Sequence, residues 1–380
     1  MPIDTHSELS EAQAVLMGVS RDFALSRLAP GAADRDRCGN FSVDLYKEAG
    51  ELGLLGVNLP LRIGGGNLGM FEAALVIEQF ARVDGSFALT ALASTALTAG
   101  HLFRVCSEEQ AKRWISPLIR GELGAWALTE ASGGCDAAAI QCRAERCGEG
   151  YIINGAKKFV THGNLFSVMV LMARTREGKG GISSFAIGAG DGGRESRPIQ
   201  GKLGMRSCDT AEVVFEGCEI PGDRLLGMEG DGFSQAMATL VEARIASAAL
   251  CVGLGQGALD AALNYARERE AFGRPIGEFG GIREQLADSA IGLAAGRELV
   301  FRAARLFDSG EDATDSAARA KLFTSEAALR SCDQGIQIHG GYGYTDEVPA
   351  HRFWRDARLL TISEGTSEIL REIVAHSVFA

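Results

Sequence analysis

Proline is scarce in this chain, with 8 among 380 residues and only Pro275 and Pro349 beyond residue 232. The last third therefore lacks the residue that breaks helices, except at two apparent ends. The cysteines lack any pattern: Cys38, Cys106, Cys135, Cys142, Cys147, Cys208, Cys218, Cys251 and Cys332 are odd in number and scattered, with no CxxC pair. That argues against a disulfide framework and a zinc site. The six histidines (His6, His101, His162, His339, His351 and His376) have no ligand spacing either, so no metal is expected. Positive charge is in deficit, 38 Lys and Arg against 49 Asp and Glu, a net charge of -11. That balance argues against nucleic acid or an anionic membrane held by bulk electrostatics as a partner, and leaves room for a local basic pocket. The most apolar stretches, such as Phe87–Gly100, are short and diluted with Thr, Ser and Gly, below the roughly 18–20 residues of a membrane span. The first fifteen residues show no basic n-region and no apolar h-region, so no secretory leader is expected, and a soluble cytoplasmic protein is. No GxSxG elbow and no Walker A loop is present, and no internal repeat.

What is there reads as an α+β multidomain chain. A length of 380 residues exceeds what one core sustains, and 46% hydrophobic with 23% charged residues is ordinary globular composition. Up to residue 125 the period is helical: Phe71, Ala74, Leu75, Ile77 and Phe80 share a face, Glu48–Leu55 and Glu108–Ile115 behave similarly, and Ser107 opens a helix with acidic residues in its first turn. Residues 126–231 carry short β-rich runs, Tyr151–Gly155, Val168–Met172, Ser184–Ile187 and Val213–Phe215, between glycine clusters. They predict a small antiparallel barrel or sandwich. From residue 232 to 380 the helical period returns, with Phe233, Met237, Leu240 and Val241 on one face. The expected order is an N-terminal α-helical domain (1–125), a middle antiparallel β domain (126–231) and a C-terminal α-helical bundle (232–380).

One motif invites a wrong reading. Gly64, Gly66 and Gly69 satisfy GxGxxG and precede a helix, as in a dinucleotide site. Pro60 interrupts the strand such a site needs, and no strand–helix series with an acidic strand end follows. A glycine-rich turn into a helix is expected instead. Gly253, Gly255 and Gly257, inside an Ala-rich helical run, predict close helix packing.

Five segments in register resemble the acyl-CoA dehydrogenase family. Ala127–Asp136 (ALTEASGGCD) is similar to LTEPxxGSD, and Asn154–Thr161 (NGAKKFVT) to NGxKxWIT. Tyr265-Ala266 with Arg269–Ile276 is similar to YAxxRxxFGxPI, Gln337–Tyr344 matches QxxGGxGY, and Arg355–Arg358 leads to Glu364–Ile369 (EGTSEI). The resemblance implies the same three-domain order and FAD-dependent α,β-dehydrogenation of an acyl thioester. It implies that Glu364 removes the α-proton, with the Glu364 backbone N–H and a flavin ribityl hydroxyl as donors to the thioester carbonyl. A weak carbon acid needs such a desolvated base and such donors. Some relatives carry the base on a helix, where this chain has Ala243; Glu242 is one residue back, about 100° around the helix.

By the same resemblance Thr129 and Thr161 bond the isoalloxazine edge, and Trp126, Leu128, Gly134, Cys135 and Phe159 line it. Arg269, Phe272, Phe279, Gln337, Gly340 and Gly341 hold the FAD of a neighbouring subunit, which implies a homodimer or homotetramer. Thr366 and Glu368 stand near the pyrophosphate and adenosine, Arg244 contacts the CoA portion, and Cys135 and Gly365 border the substrate. The implied partners are acyl-CoA, or an acyl carrier protein thioester, and an electron-transfer flavoprotein. Departures from the family pattern are Ser363 for Tyr, Ala131 for Pro, Cys135 for Ser, Phe159 for Trp, and Gly280 and Arg283 for two Gln. They bear on acyl-chain identity. The carrier-protein enzyme, an oxidase and a non-catalytic flavin-binding paralogue stand as alternatives, while Glu364 disfavours a monooxygenase.

Overall fold

A computed structural model describes residues 9–379; His6 and the start of the segment read for a leader lie outside them. The first helical zone comprises α1 (Glu11–Phe23), α2 (Ala32–Cys38), α3 (Val43–Glu51), α4 (Met70–Ala81), α5 (Gly85–Leu92), α6 (Gly100–Val105) and α7 (Glu108–Ile119). Ser107 caps α7 through a capping box with Gln110, as the sequence suggests, and Ser10 does the same for α1 with Gln13. The α4 positions Phe71, Ala74, Leu75, Ile77 and Phe80 are all buried.

A wide π-helical turn, Ala93–Ala99, joins α5 to α6, so that Gly85–Val105 runs as 21 continuous helical residues. That run and α8 (Gly232–Glu268) are long and apolar enough to cross a bilayer, which corrects the expectation that the apolar stretches are too short. The sequence reading missed this because small polar residues dilute a helix without ending it. Of their most apolar windows 89% and 78% is buried inside the fold, so the apolar surface is spent on the core.

The middle zone holds β1 (Gly124–Ala127), β2 (Arg143–Cys147), β3 (Gly150–Thr161), β4 (Val168–Arg174), β5 (Ile182–Gly188), β6 (Arg194–Pro198), β7 (Thr210–Ile220) and β8 (Leu225–Leu226). They form one sheet in the order β6-β7-β3-β2-β4-β5-β8, with β1 also against β4. The sheet is antiparallel except along β4, where β1 and β2 both pair parallel. Alternate residues of β4 serve two cores. Val168, Val170 and Met172 pack with Trp114, Ile115 and Leu118 of α7, while Met169, Leu171 and Ala173 pack with Phe185 and Phe215.

The last zone adds a short hairpin, β9 (Glu270–Ala271) with β10 (Arg274–Pro275), then α9 (Gly280–Asp308), α10 (Thr314–His339), α11 (Ala350–Leu359) and α12 (Ser367–Phe379). The α8 glycines lie where helices touch: a Cβ on Gly253 would stand 2.3 Å from Glu78 O, and one on Gly257 2.3 Å from Arg82 O. Domains are tied across the chain by Arg355, which pairs with Asp36, and by Asp356, which accepts the Met205 N–H at 2.5 Å.

The GxGxxG segment is a turn. Asn67 N–H donates to Leu59 O (2.8 Å) and Leu68 N–H to Val57 O (2.9 Å), so the loop doubles back on itself. The helix start that a pyrophosphate would need is already occupied, because the N–H groups of Met70 and Phe71 donate to the Asp308 carboxylate at 2.6 and 3.0 Å.

Candidate active site

After α11 the chain turns tightly, with Ile362 N–H bonded to Leu359 O (2.8 Å) and Ser367 N–H to Thr361 O (3.1 Å). Inside this turn Glu364 has φ 50° and Gly365 φ 108°. A non-glycine residue in the left-handed region is uncommon and needs holding. Two cations from different helices provide it. Arg244 of α8 donates from Nε to Glu364 O at 3.1 Å, and Lys321 of α10 donates from Nζ to Gly365 O at 2.6 Å. Both are buried, Arg244 at 6% and Lys321 at 0% exposure. Burial pulls both side chains below their ordinary values, and the Glu364 charge opposes it.

The Glu364 side chain is half-buried, and its Oε2, like the Ser363 Oγ, is enclosed without a hydrogen-bond partner among the described residues. Among the same residues the Glu364 N–H donates to no backbone carbonyl. Glu242 is committed elsewhere: it is buried, paired with Arg104 at 2.6 Å and bonded to Asn58 at 3.0 Å, and burial raises its carboxyl.

The second part of the site is built where residues 127–136 run beside β3. Lys157 is fully buried and pairs with Glu130 at 2.7 Å while donating to Leu128 O at 3.0 Å. Glu130 also accepts from the N–H groups of Gln141 (2.7 Å) and Cys142 (2.9 Å). Lys158 N–H donates to Thr129 O at 2.9 Å. The two family segments are thus zipped side by side by groups that the sequence reading passed over, although both charges stand inside the segments quoted for the resemblance.

The zipper leaves an open aromatic face. Phe159 sits at φ 58° in an irregular stretch of β3 and is 60% exposed. Thr129 and Thr161 are half-buried, and among the described residues their hydroxyls have no partner in the chain. Trp126 is half-buried, its Nε1–H donating to His101 Nδ1 at 3.4 Å. Burial pushes His101 down to about 3, so its ring is neutral and Nδ1 can accept. Leu128 is buried, whereas Gly134 and Cys135 are exposed. An apolar plane flanked by unpaired hydroxyls suits a flat ring with polar edges, as an isoalloxazine is.

The third group lies on α8, the hairpin and α10. Arg269, Gly340 and Gly341 line an open groove of about 510 Å³ with Tyr265, His339 and Glu347. Phe272 is at the hairpin tip, 95% exposed at φ 54°, edge-on to the half-buried Phe279 at 6.0 Å. Gln337 is exposed near the end of α10. Thr366 accepts from Ile369 N–H at 3.4 Å at the start of α12, where Glu368 is exposed.

Sequence models of the N-terminal, middle and C-terminal domains of acyl-CoA dehydrogenase match residues 10–122, 125–218 and 230–379. The chain is 39% identical over 372 residues to the mitochondrial short-chain specific acyl-CoA dehydrogenase of Mus musculus, covering 97% of this chain and 90% of that one. It superposes on butyryl-CoA dehydrogenase from Megasphaera elsdenii with a TM-score of 0.95 at 33% identity, over 98% of this chain and 99% of the other. A chain in a structure reported for the electron transferring flavoprotein of Acidaminococcus fermentans gives a TM-score of 0.96 at 37% identity, over 98% and 99%.

Proposed function

The chain belongs to the acyl-CoA dehydrogenase family, and we propose that it converts an acyl-CoA to the 2-enoyl thioester with Glu364 as the base. One observation supports the choice of base: among the described residues the enclosed Glu364 Oε2 has no hydrogen-bond partner and the same residue's N–H donates to no backbone carbonyl. A thioester carbonyl meeting that N–H brings its α-carbon beside the carboxylate of the same residue, so one residue acidifies the proton and accepts it. Glu242, one residue from the alternative base position, is neutralised by Arg104 and takes no part.

FAD is the cofactor, and when bound it supplies the acceptor for the hydride leaving the β-carbon. The Thr129 and Thr161 hydroxyls, without a partner among the described residues, support their role at the ring edge, with Phe159, Trp126, Leu128, Gly134 and Cys135 alongside. The exposure of Arg269, Phe272, Gln337, Gly340 and Gly341 supports their reaching a neighbouring subunit's FAD with Phe279, in a homodimer or homotetramer. Thr366 and Glu368 belong on the pyrophosphate side of the cofactor, and Cys135 and Gly365 on the substrate side. Arg244, which the resemblance places at the CoA portion, donates its Nε–H to Glu364 O. Electrons then pass to an electron-transfer flavoprotein. We take 1–125, 126–231 and 232–380 as the domains and the cytoplasm as the compartment.

The test is an anaerobic titration of the FAD-loaded protein with butyryl-CoA, with branched, aromatic and long acyl-CoAs, and with a butyryl thioester of an acyl carrier protein, following the flavin's visible absorbance. Bleaching by one class is expected, short chains first. Bleaching only by a carrier-protein thioester would overturn the choice of CoA, and bleaching by none would overturn the enzyme reading.

A further inference from the structure

Lys321 stands outside the segments through which the chain resembles its family, yet its position is hard to explain by packing. Its side chain is fully enclosed, on a stretch of α10 whose Ala317, Ala318 and Ala320 are also buried, and the charge of Arg244 acts against its own. An ammonium held out of water needs a counter-charge and acceptors. The nearby thiol of Cys251 is pushed up to about 12 by burial and is therefore neutral. Thr324, one turn on, sends its hydroxyl back to Ala320 O at 2.8 Å. What remains is the loop that carries Glu364: Lys321 Nζ meets Gly365 O at 2.6 Å, and Glu364 is the carboxylate whose charge acts on it.

We propose that Lys321 is a positioning residue which, together with Arg244, clamps the two consecutive carbonyls of Glu364 and Gly365 and so fixes where the base stands. Arg244 reaches from α8 and Lys321 from α10, so the turn is pinned between two helices. Residues 364 and 365 both lie at positive φ, at 50° and 108°. A loop left to itself would relax from the strained Glu364 conformation, carrying the N–H and the carboxylate with it. With both carbonyls held, that N–H and that carboxylate are presented as one rigid unit. The inference rests on Glu364 being the base, and it adds a residue that touches neither substrate nor cofactor.

The experiment compares the FAD-loaded wild type with Lys321→Met, which keeps the volume and removes the donor and charge. Lys321→Gln keeps a shorter donor and serves if the Met variant does not fold. Two readouts are taken: stopped-flow flavin reduction by butyryl-CoA, alone and combined with Glu364→Gln, and amide hydrogen exchange of the peptide covering residues 361–369 without any thioester. The limiting reduction rate should fall by about 10–100-fold, as expected for a misplaced catalytic group. The half-saturating butyryl-CoA concentration and the bound FAD should change little, and exchange in the loop should rise. In the Glu364→Gln background the Lys321 substitution should change the residual rate by less than about twofold, because both act through one group. A wild-type reduction rate in Lys321→Met, or unchanged loop exchange, would overturn the clamp. If no thioester reduces even the wild type, the proposed function has failed, and the exchange measurement still decides the clamp.

Discussion

A fully enclosed lysine costs free energy unless its charge is answered, and Lys157 is answered by Glu130 at 2.7 Å and by Leu128 O. Removing one member leaves the other charge buried and unpaired, which is much worse than removing both. Lys157→Met should therefore lower the stability by about 3–5 kcal/mol in urea unfolding. Combining it with Glu130→Gln, which removes the charge and keeps an acceptor for the Gln141 and Cys142 N–H groups, should recover part of the loss. The adjacent Lys158 N–H donates to Thr129 O, so the same stretch of β3 carries both ties to residues 127–136.

His162 makes a second prediction at this scale. It is buried, with Nδ1–H donating to Gly124 O at 2.8 Å, and burial pushes it down to about 4 from the ordinary 6.5. The unfolded chain binds the proton more readily, so the neutral ring's contribution is complete above 6.5 and is lost as the pH falls toward 4. Integrated over that window the loss is about 3 kcal/mol, and His162→Asn should flatten the acid limb of the stability profile measured by urea unfolding.

Among elements, α8 is the one on which both helical zones close. Its glycines let α4 approach backbone to backbone, and a Cβ on Gly257 would meet Arg82 O at 2.3 Å and the Phe353 ring at 2.7 Å. Neither backbone nor a packed ring yields cheaply. Gly257→Ala should cost about 1–3 kcal/mol, seen as a lower Tm, despite the better helix propensity of alanine. Gly292→Ala in α9, whose Cβ would lie 3.7 Å from Ala327 Cβ, should be neutral or stabilising by up to about 1 kcal/mol. Equal losses at both sites would contradict the packing role.

The strands divide by how much they reveal. β4 and β5 are buried on both faces; β4 (VMVLMAR) reads as an apolar run, and β5 (ISSFAIG) is marked by its apolar Phe185–Ile187 after two buried serines. β2 (RAERC) and β6 (RESRP) are mostly exposed and polar, and nothing in their letters marks them as strands. The parallel pairing of β1 with β4 joins segments about 40 residues apart, Gly124 with Val168, and only tertiary structure sets it. The length of the Gly85–Val105 helix was obscured for a similar reason, since a π-helical turn carries it through Ala93–Ala99.

For the whole molecule, the order of helical, β and helical zones could be read from the change of hydrophobic period, because that period reflects which face each element buries. The candidate site was readable only in pieces. Glu364 stands out through its EGTSEI segment, but the groups that hold it, Arg244 and Lys321, lie 120 and 43 residues earlier, and no local pattern joins them. Glu130 and Lys157 were visible as letters, while their buried pairing became visible only once β3 lay beside residues 127–136. The proposed site depends on long-range closure: α8, α10 and the turn after α11 converge on the two consecutive carbonyls of Glu364 and Gly365.

The central claim is that Glu364 removes the proton, and the measurement that meets it directly is anaerobic flavin reduction by butyryl-CoA in Glu364→Gln with FAD content matched to the wild type. Loss of one catalytic base commonly costs about 10²–10⁴-fold, so the variant should hold FAD and the thioester yet bleach at least about 100-fold more slowly. Bleaching at the wild-type rate with FAD fully bound would contradict it and return the search to another base.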